Sequence, residues 1–339
     1  MSQTQVEIIA EIAQAHEGSL GIAHSYIDAL ATAGVDTVKF QMHIASAESS
    51  RFEQFRVNFS YEDKTRYDYW ERMEFDLEQW QGLKNHCEDK GLRFLCSPFS
   101  IQAVEWMEKL NTDRYKVASG EVNNLLMIDA ICKTGKGILL SSGMSSFDEL
   151  NATVNYISSR KARIEGIFQC TTAYPTPPEK YGLNVLSELK KNFPYAIGLS
   201  DHSGEIFAPL SAVALGAEML EMHVVFDKKM FGPDAASSLT IAEFKQLTDG
   251  VRKITTSINH PVDKNEVKQY DEMKNLFGKS LSLRTNKKSG DVIQLQDLET
   301  RKPGNMGIKA ADFELLLGKK LNRDMTEGDF IQHSDIQVS

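Results

Sequence analysis

Four side chains suited to chemistry stand inside or at the ends of segments that otherwise read as buried strands: Lys39 in TVKFQM, Lys116 in RYKVAS, His202 after AIGLSD and His223 in AEMLEMHV. A buried ammonium needs a partner, either a structural glutamate or a bound anion. Two lysines on different strands, with Ser97, Ser119, Ser141 and Ser200 near strand ends, favour the anion, as point charges and hydroxyl donors for a phosphate and a carboxylate. A lone strand histidine is usually a core residue holding one hydrogen bond. His202 and His223 instead end consecutive strand candidates, and a pair of neutral imidazoles with an acidic neighbour suits a divalent metal acting as a Lewis acid. Glu221 lies two residues before His223 and so shares its strand face.

Such groups need a scaffold that brings them together. The strand candidates are VEIIAEIA, TVKFQM, RFLCSPF, RYKVAS, GILLSSG, IEGIFQC, AIGLSD and AEMLEMHV, with amphipathic stretches such as LEQWQGLKNHCEDKG and AVEWMEKLN between them. Near-continuous apolar strands alternating with helices predict a (β/α)8 barrel of about 250 residues. The rival is an open doubly wound sheet, but no GxGxxG opens a helix after the first strand. In a barrel the reacting groups gather at the carboxyl ends of the strands. Polar residues stand there in every unit, among them His16 and Glu17, Gln41, Glu121, Ser142, Thr172 and Tyr174 besides those already named. His24, His86, His260 and His333 read as solvated, and His43 is ambiguous.

The barrel is expected over residues 1–260, a polar linker over 261–276, and a compact, mostly β domain over 277–339, where short segments are punctuated by Gly and Pro. Among 339 residues, 38 Lys+Arg face 47 Asp+Glu, a net charge of −9. That balance gives no nucleic-acid footprint, and an anionic substrate would need locally placed cations. No apolar run approaches the roughly 18 residues of a membrane span. The N-terminus MSQTQVEII has no basic leader, so a cytoplasmic protein is expected. The four cysteines lack CxxC spacing and read as reduced, buried thiols.

EIAQAHEGSL, VKFQMHI, SPFS, YKVASGEVNN, LSSGMSS, QCTTAYPTP, IGLSDHSG, VALGAEMLEMHVVFDKKMFGPDAASSL and RKPGNMG resemble, in register, the signature segments of the sialic acid synthase family. The resemblance implies condensation of phosphoenolpyruvate with an N-acetylated mannose-type sugar and water to a nine-carbon 2-keto acid plus phosphate. N-acetylmannosamine is the first acceptor implied, and 6-deoxy diacetamido hexoses leading to legionaminic or pseudaminic acid are the alternative. It also implies a (β/α)8 TIM barrel, a C-terminal antifreeze-like (SAF) domain and a domain-swapped homodimer. Carried over by position, the phosphoenolpyruvate site falls on Lys39, Ser97, Lys116, Ser141, Thr172 and Ser200. The metal, manganese or magnesium, falls on His202 and His223, and the sugar contacts on Gln41, Tyr174, Asp234 and Lys302. The family's acidic residue beside the metal falls on Glu17, a candidate either for handling the proton of the attacking water or for steadying the developing positive charge, and Glu221 reads as a support of the metal ligands from behind.

The chain departs from the pattern in places. Ser97 and Thr172 stand where relatives often have Thr and Asn, and Ala13 and Ala15 where they commonly have Gly and Asn. Lys302, beside Arg301, stands where an arginine usually contacts the sugar; lysine keeps the charge and loses the planar fork. A metal-dependent barrel aldolase would use the same histidines and leave the paired lysines unexplained. An ice-binding module conflicts with the many charges over 280–339.

Overall fold

The computed structural model describes residues 5–57 and 59–337. The chain divides into two compact units, Met1–His260 and Pro261–Ser339. In the first, all eight expected strands form: β1 (Glu7–Glu11), β2 (Thr37–Met42), β3 (Arg93–Pro98), β4 (Arg114–Val117), β5 (Gly137–Ser141), β6 (Ile164–Cys170), β7 (Ala196–Asp201) and β8 (Met219–Val225). Each pairs in parallel with the next, and β1 pairs with β8 as well as β2, which closes the barrel. A two-residue strand, β9 (Leu239–Thr240), pairs in parallel with the end of β8.

The connections are α1 (Leu20–Ala33), α2 (Ala45–Glu48), α3 (Arg66–Met73), α4 (Leu77–Asp89), α5 (Ile101–Lys109), α6 (Leu125–Thr134), α7 (Phe147–Ser159), α8 (Leu183–Asn192), α9 (Phe207–Ala214) and α10 (Ile241–Asn259). Their starts are written locally. Ser19 caps α1, and Thr65/Asp68, Asp76/Gln79, Ser146/Glu149 and Thr240/Glu243 form reciprocal capping boxes that satisfy otherwise orphaned backbone donors. None of the described helices is long and apolar enough to cross a membrane.

Strand alternation sorts the barrel interior into tiers. At the amino-terminal end Glu7 accepts hydrogen bonds from Thr37 and Arg114 and pairs with Arg93. Burial alone would raise the Glu7 carboxyl, but these partners hold it below its ordinary value. Above that lies an apolar plug of Ile9, Leu95, Leu139, Phe168 and Met219. Gly198 is required here, because a Cβ on it would stand 2.7 Å from the Phe168 ring. Two residues further along the strands the interior turns polar, at Glu11, Lys39, Ser97, Lys116, Ser141 and Glu221. The plug therefore forms a dry floor beneath the charged tier.

All four cysteines are free and buried, as expected. His24 and His86, read as solvated, instead face each other between α1 and α4, Nδ1 to Nδ1 at 2.8 Å. Each offers a partner on the neighbouring helix that a single-helix pattern cannot reveal.

In the second unit the expected linker is not bare coil, since residues 271–277 form α11 (Asp271–Phe277). Beyond it, β10 (Ser280–Leu283) pairs antiparallel with β11 (Leu298–Arg301), and isolated bridges such as Ser282 to Phe330 tie the coil together. Its core is small: Leu281, Leu283, Ile293, Ile308, Leu316, Leu321, Met325 and Ile331. Turns and bridges carry more of this unit than regular strands do.

Candidate active site

The carboxyl ends of the strands border a cavity of about 490 Å³. At its base Lys116 Nζ donates to Ser141 Oγ at 2.8 Å and to Glu221 Oε1 at 2.9 Å. Its ammonium stands 4.6 Å from the centre of the Phe168 ring in the apolar plug. Lys39 pairs with Glu11 and lies 3.4 Å from Glu221, and Ser200 Oγ reaches the same glutamate at 3.4 Å. Burial pulls the Lys39 ammonium down to about 8 despite the Glu221 charge. Glu221 is also buried, yet Lys116 and Lys39 hold it ionised, well below the ordinary carboxylate range. Two buried polar atoms in this tier, Ser97 Oγ and Glu221 Oε2, have no partner among the described residues. Buried polar groups are rarely left so, and such orphans mark places where a ligand or ion completes a network.

The histidine pair lies beside this tier. The His202 and His223 ring centroids are 5.3 Å apart, and the Tyr174 ring lies tilted 4.3 Å from His202. His202 Nδ1 lies 3.0 Å from the Thr171 carbonyl, so it carries a proton and donates, and in the neutral ring Nε2 keeps a lone pair. Burial would lower His202, but Cys170, the Thr171 carbonyl and Asp201 together raise it above its ordinary value. Burial also holds His223 down at about 4, against the charge of Asp234, so it is neutral at pH 7. Among the described residues, no three or more His, Cys, Asp or Glu side chains gather as a ready-made cage for a metal.

The mouth is built by segments that strand patterning could not place. Arg56, from the stretch between α2 and α3, donates to Asp234 Oδ1 at 2.6 Å and stacks 4.1 Å over Tyr174. Arg66 stacks 4.1 Å over Trp70. His43 belongs to the site: it is buried, borders the cavity and bonds Glu48 at 2.6 Å. Glu11 was overlooked although its signal matched that of Lys39, a charge inside an apolar strand. Gln14, Arg56 and Trp70 carry no such signal, because they sit on irregular or distant segments.

Lys39, Gln41, Lys116, Ser141, Thr172, Tyr174, Ser200, His202, His223 and Asp234 therefore border one cavity, as the sequence suggested. Two other candidates of the barrel do not border it. Ser97 is fully buried behind it. Glu17, expected at the reacting centre, is held by Arg72 Nη1 at 3.0 Å, and Arg72 is held in turn by Asp63 at 2.8 Å. The cause is local, since the backbone at Glu17 and Gly18 turns through positive φ, 49° and 74°. Lys302 lies in the second unit, its ammonium 5.2 Å over the Phe277 ring, and Arg301 donates to Glu299 at 2.6 Å.

Residues 26–263 match the model of the NeuB family, and residues 288–337 match the SAF domain. The chain belongs to the NeuB family. Relatives in that family include the N,N'-diacetyllegionaminic acid synthase of Campylobacter jejuni, 32% identical over 96% of this chain and 98% of that protein. The N-acetylneuraminate-9-phosphate synthase of Homo sapiens is also 32% identical, over 96% of this chain and 90% of that one. Among solved structures, the N-acetylneuraminic acid synthetase of Leptospira borgpetersenii in complex with citrate matches with a TM-score of 0.71 and 27% identity, over 80% of this chain and 92% of that one. Membership in this family of nonulosonic acid synthases makes the chain an enzyme.

Proposed function

We propose that the enzyme condenses phosphoenolpyruvate with an N-acylated mannose-type sugar, N-acetylmannosamine first, and water, giving a nine-carbon 2-keto sugar acid and phosphate. The observation that carries this reading is the placement of two buried ammoniums, Lys39 and Lys116, with Ser141 and Ser200 at the base of the same cavity that His202 and His223 border. A purely structural ion-pair cluster would explain the lysines alone; the Ser141 and Ser200 hydroxyls beside them at the cavity base favour a bound anion.

In this reading Lys39 and Lys116 hold the phosphate and carboxylate, and the hydroxyls of Ser141, Thr172 and Ser200 orient them. C3 of phosphoenolpyruvate bonds to the aldehyde carbon, water adds at C2, and phosphate leaves with the electrons of the C2–O bond. Glu11 and Glu221 set negative charge against the positive charge that develops at C2. Glu17 acts on the water's proton only after parting from Arg72.

The residues fit a divalent metal, manganese or magnesium, with His202 and His223 as its protein ligands and other positions left to water and sugar oxygens. Bound there, it would polarise the sugar carbonyl as a Lewis acid. The reading includes a cytoplasmic homodimer with exchanged C-terminal units, where Lys302 or Arg301 adds a cation for the sugar.

Around the cavity stand six carboxylates, Glu11, Glu48, Glu53, Glu121, Glu221 and Asp234, against four cations, Lys39, Arg56, Arg66 and Lys116. Once phosphoenolpyruvate occupies the lysines, that balance disfavours a second phosphate, so the acceptor is unphosphorylated. Diacetamido hexoses remain the second reading, favoured by the likeness to the legionaminic acid synthase.

Phosphate release from phosphoenolpyruvate and manganese with a panel of N-acetylmannosamine, its 6-phosphate and diacetamido hexoses tests the proposal. Release is expected with an unphosphorylated acylamino sugar; none with any sugar, while metal is bound, refutes it. Because Lys39 loses its proton near pH 8, kcat/KM for phosphoenolpyruvate should fall as pH rises through that value. A profile flat to pH 10 would remove Lys39 from anion binding.

A further inference from the structure

We propose that His24 of α1 and His86 of α4 form a second metal site, for a divalent transition ion that prefers imidazole, such as zinc. Neither residue borders the cavity. The two histidines stand 62 positions apart, so no spacing motif marks them. Their rings approach from separate helices, with centroids 4.9 Å apart and planes inclined by 43°, and the two Nδ1 atoms converge to 2.8 Å. At that distance one of the two nitrogens carries the proton and the other presents a lone pair.

The surroundings decide which. Asp28, one turn along α1 from His24, places Oδ1 3.2 Å from His86 Nε2. A carboxylate only accepts, so His86 Nε2 carries a proton and, in the neutral ring, Nδ1 keeps the lone pair that His24 Nδ1–H meets. Lys90, one turn beyond His86, pairs with the same Asp28 oxygen at 2.7 Å and steadies the carboxylate. His86 is therefore set with its free nitrogen toward His24 by the kind of carboxylate–histidine contact that orients ligands at metal sites.

A hydrogen bond between helices is met by any donor and acceptor; two convergent imidazole nitrogens, one preset by a carboxylate, are also a bidentate donor set. Two nitrogens bound to one tetrahedral ion at about 2.0–2.1 Å lie about 3.3 Å apart, so the rings need part by only about half an ångström. On binding, the proton on His24 Nδ1 passes to solvent and Nε2 takes one up, which leaves the ring neutral with its Nδ1 lone pair on the ion. Asp28 stays on the far nitrogen of His86 and is no ligand. Water fills the remaining positions, since the His86 side chain is 20% exposed. Imidazole suits zinc, copper and nickel. A bound ion would tie α1 to α4, the helices that precede β2 and β3.

Zinc chloride is titrated calorimetrically into chains carrying His223→Ala, so that the cavity histidines do not mask the heat, with and without His24→Ala, His86→Ala or Asp28→Asn. Either histidine substitution should weaken zinc binding by more than about 100-fold, and Asp28→Asn, which keeps both rings, by about 10–100-fold. With His223 intact, zinc should raise the midpoint of thermal unfolding, because an ion held only by the folded chain stabilises it by mass action, and the rise should shrink in all three variants. Zinc binding equally tight in all four chains overturns the proposal. So do histidine variants whose midpoint falls as much without zinc as with it, since His24 and His86 would then contribute a hydrogen bond between helices and nothing more.

Discussion

Lys116→Met enzyme is expected to release phosphate about 10²–10³-fold more slowly than the parent, the usual loss when one preorganised donor to a reacting anion is removed. It should also be less stable by about 3 kcal/mol, the low end for breaking a buried pair. Lys116 and Glu221 are both nearly solvent-free, at 1% and 7% side-chain exposure. Without Lys116, Glu221 keeps the longer contact to Lys39 and the Ser200 hydroxyl, each at 3.4 Å, so part of the penalty is spared. Adding Glu221→Gln removes the stranded charge. The double variant should therefore recover much of the stability in urea denaturation and none of the phosphate release. A single variant as active as the parent would end the anion-binding role of the lysine tier.

His223→Ala should weaken manganese binding by more than about 100-fold, because loss of a ligand costs more than the 10–100-fold seen for the groups that merely orient ligands. Phosphate release should fall with it, and in the parent it should vanish on chelation and return on adding manganese. Calorimetric titration of manganese reads the binding directly. The neutral state that burial imposes on His223 and the commitment of His202 Nδ1 to Thr171 both leave ring nitrogens free for the ion. A His223→Ala protein that binds manganese as tightly as the parent would dismiss His223 as a ligand.

Some of this site was legible because strand alternation is a local rule. A charged or imidazole side chain inside an apolar strand points either into the barrel or into the helical layer, and the neighbouring residues say which. Lys39 follows Thr37 by two and precedes Gln41 by two, and all three face inward. Glu221 and His223 obey the same spacing. Glu11 could have been read by the same rule. The lysine pair also shows its limit, because the sequence left a structural glutamate and an anion as alternatives, and the structure sets Glu11 against Lys39 and Glu221 against Lys116.

The sequence by itself determined the eight strands, their order and which of their residues face the barrel axis, since each depends on a repeat of two and on the turn chemistry between repeats. Only the tertiary structure decided what closes over that ring. Arg56 meets Asp234 across 178 positions, and Gln14 meets His43, which is stacked between Trp70 and Phe99, because barrel closure brings the ends of β1, β2, β3 and β8 into one mouth. Loop side chains have no periodicity to announce their direction, and their partners are set by packing against segments far away in the chain.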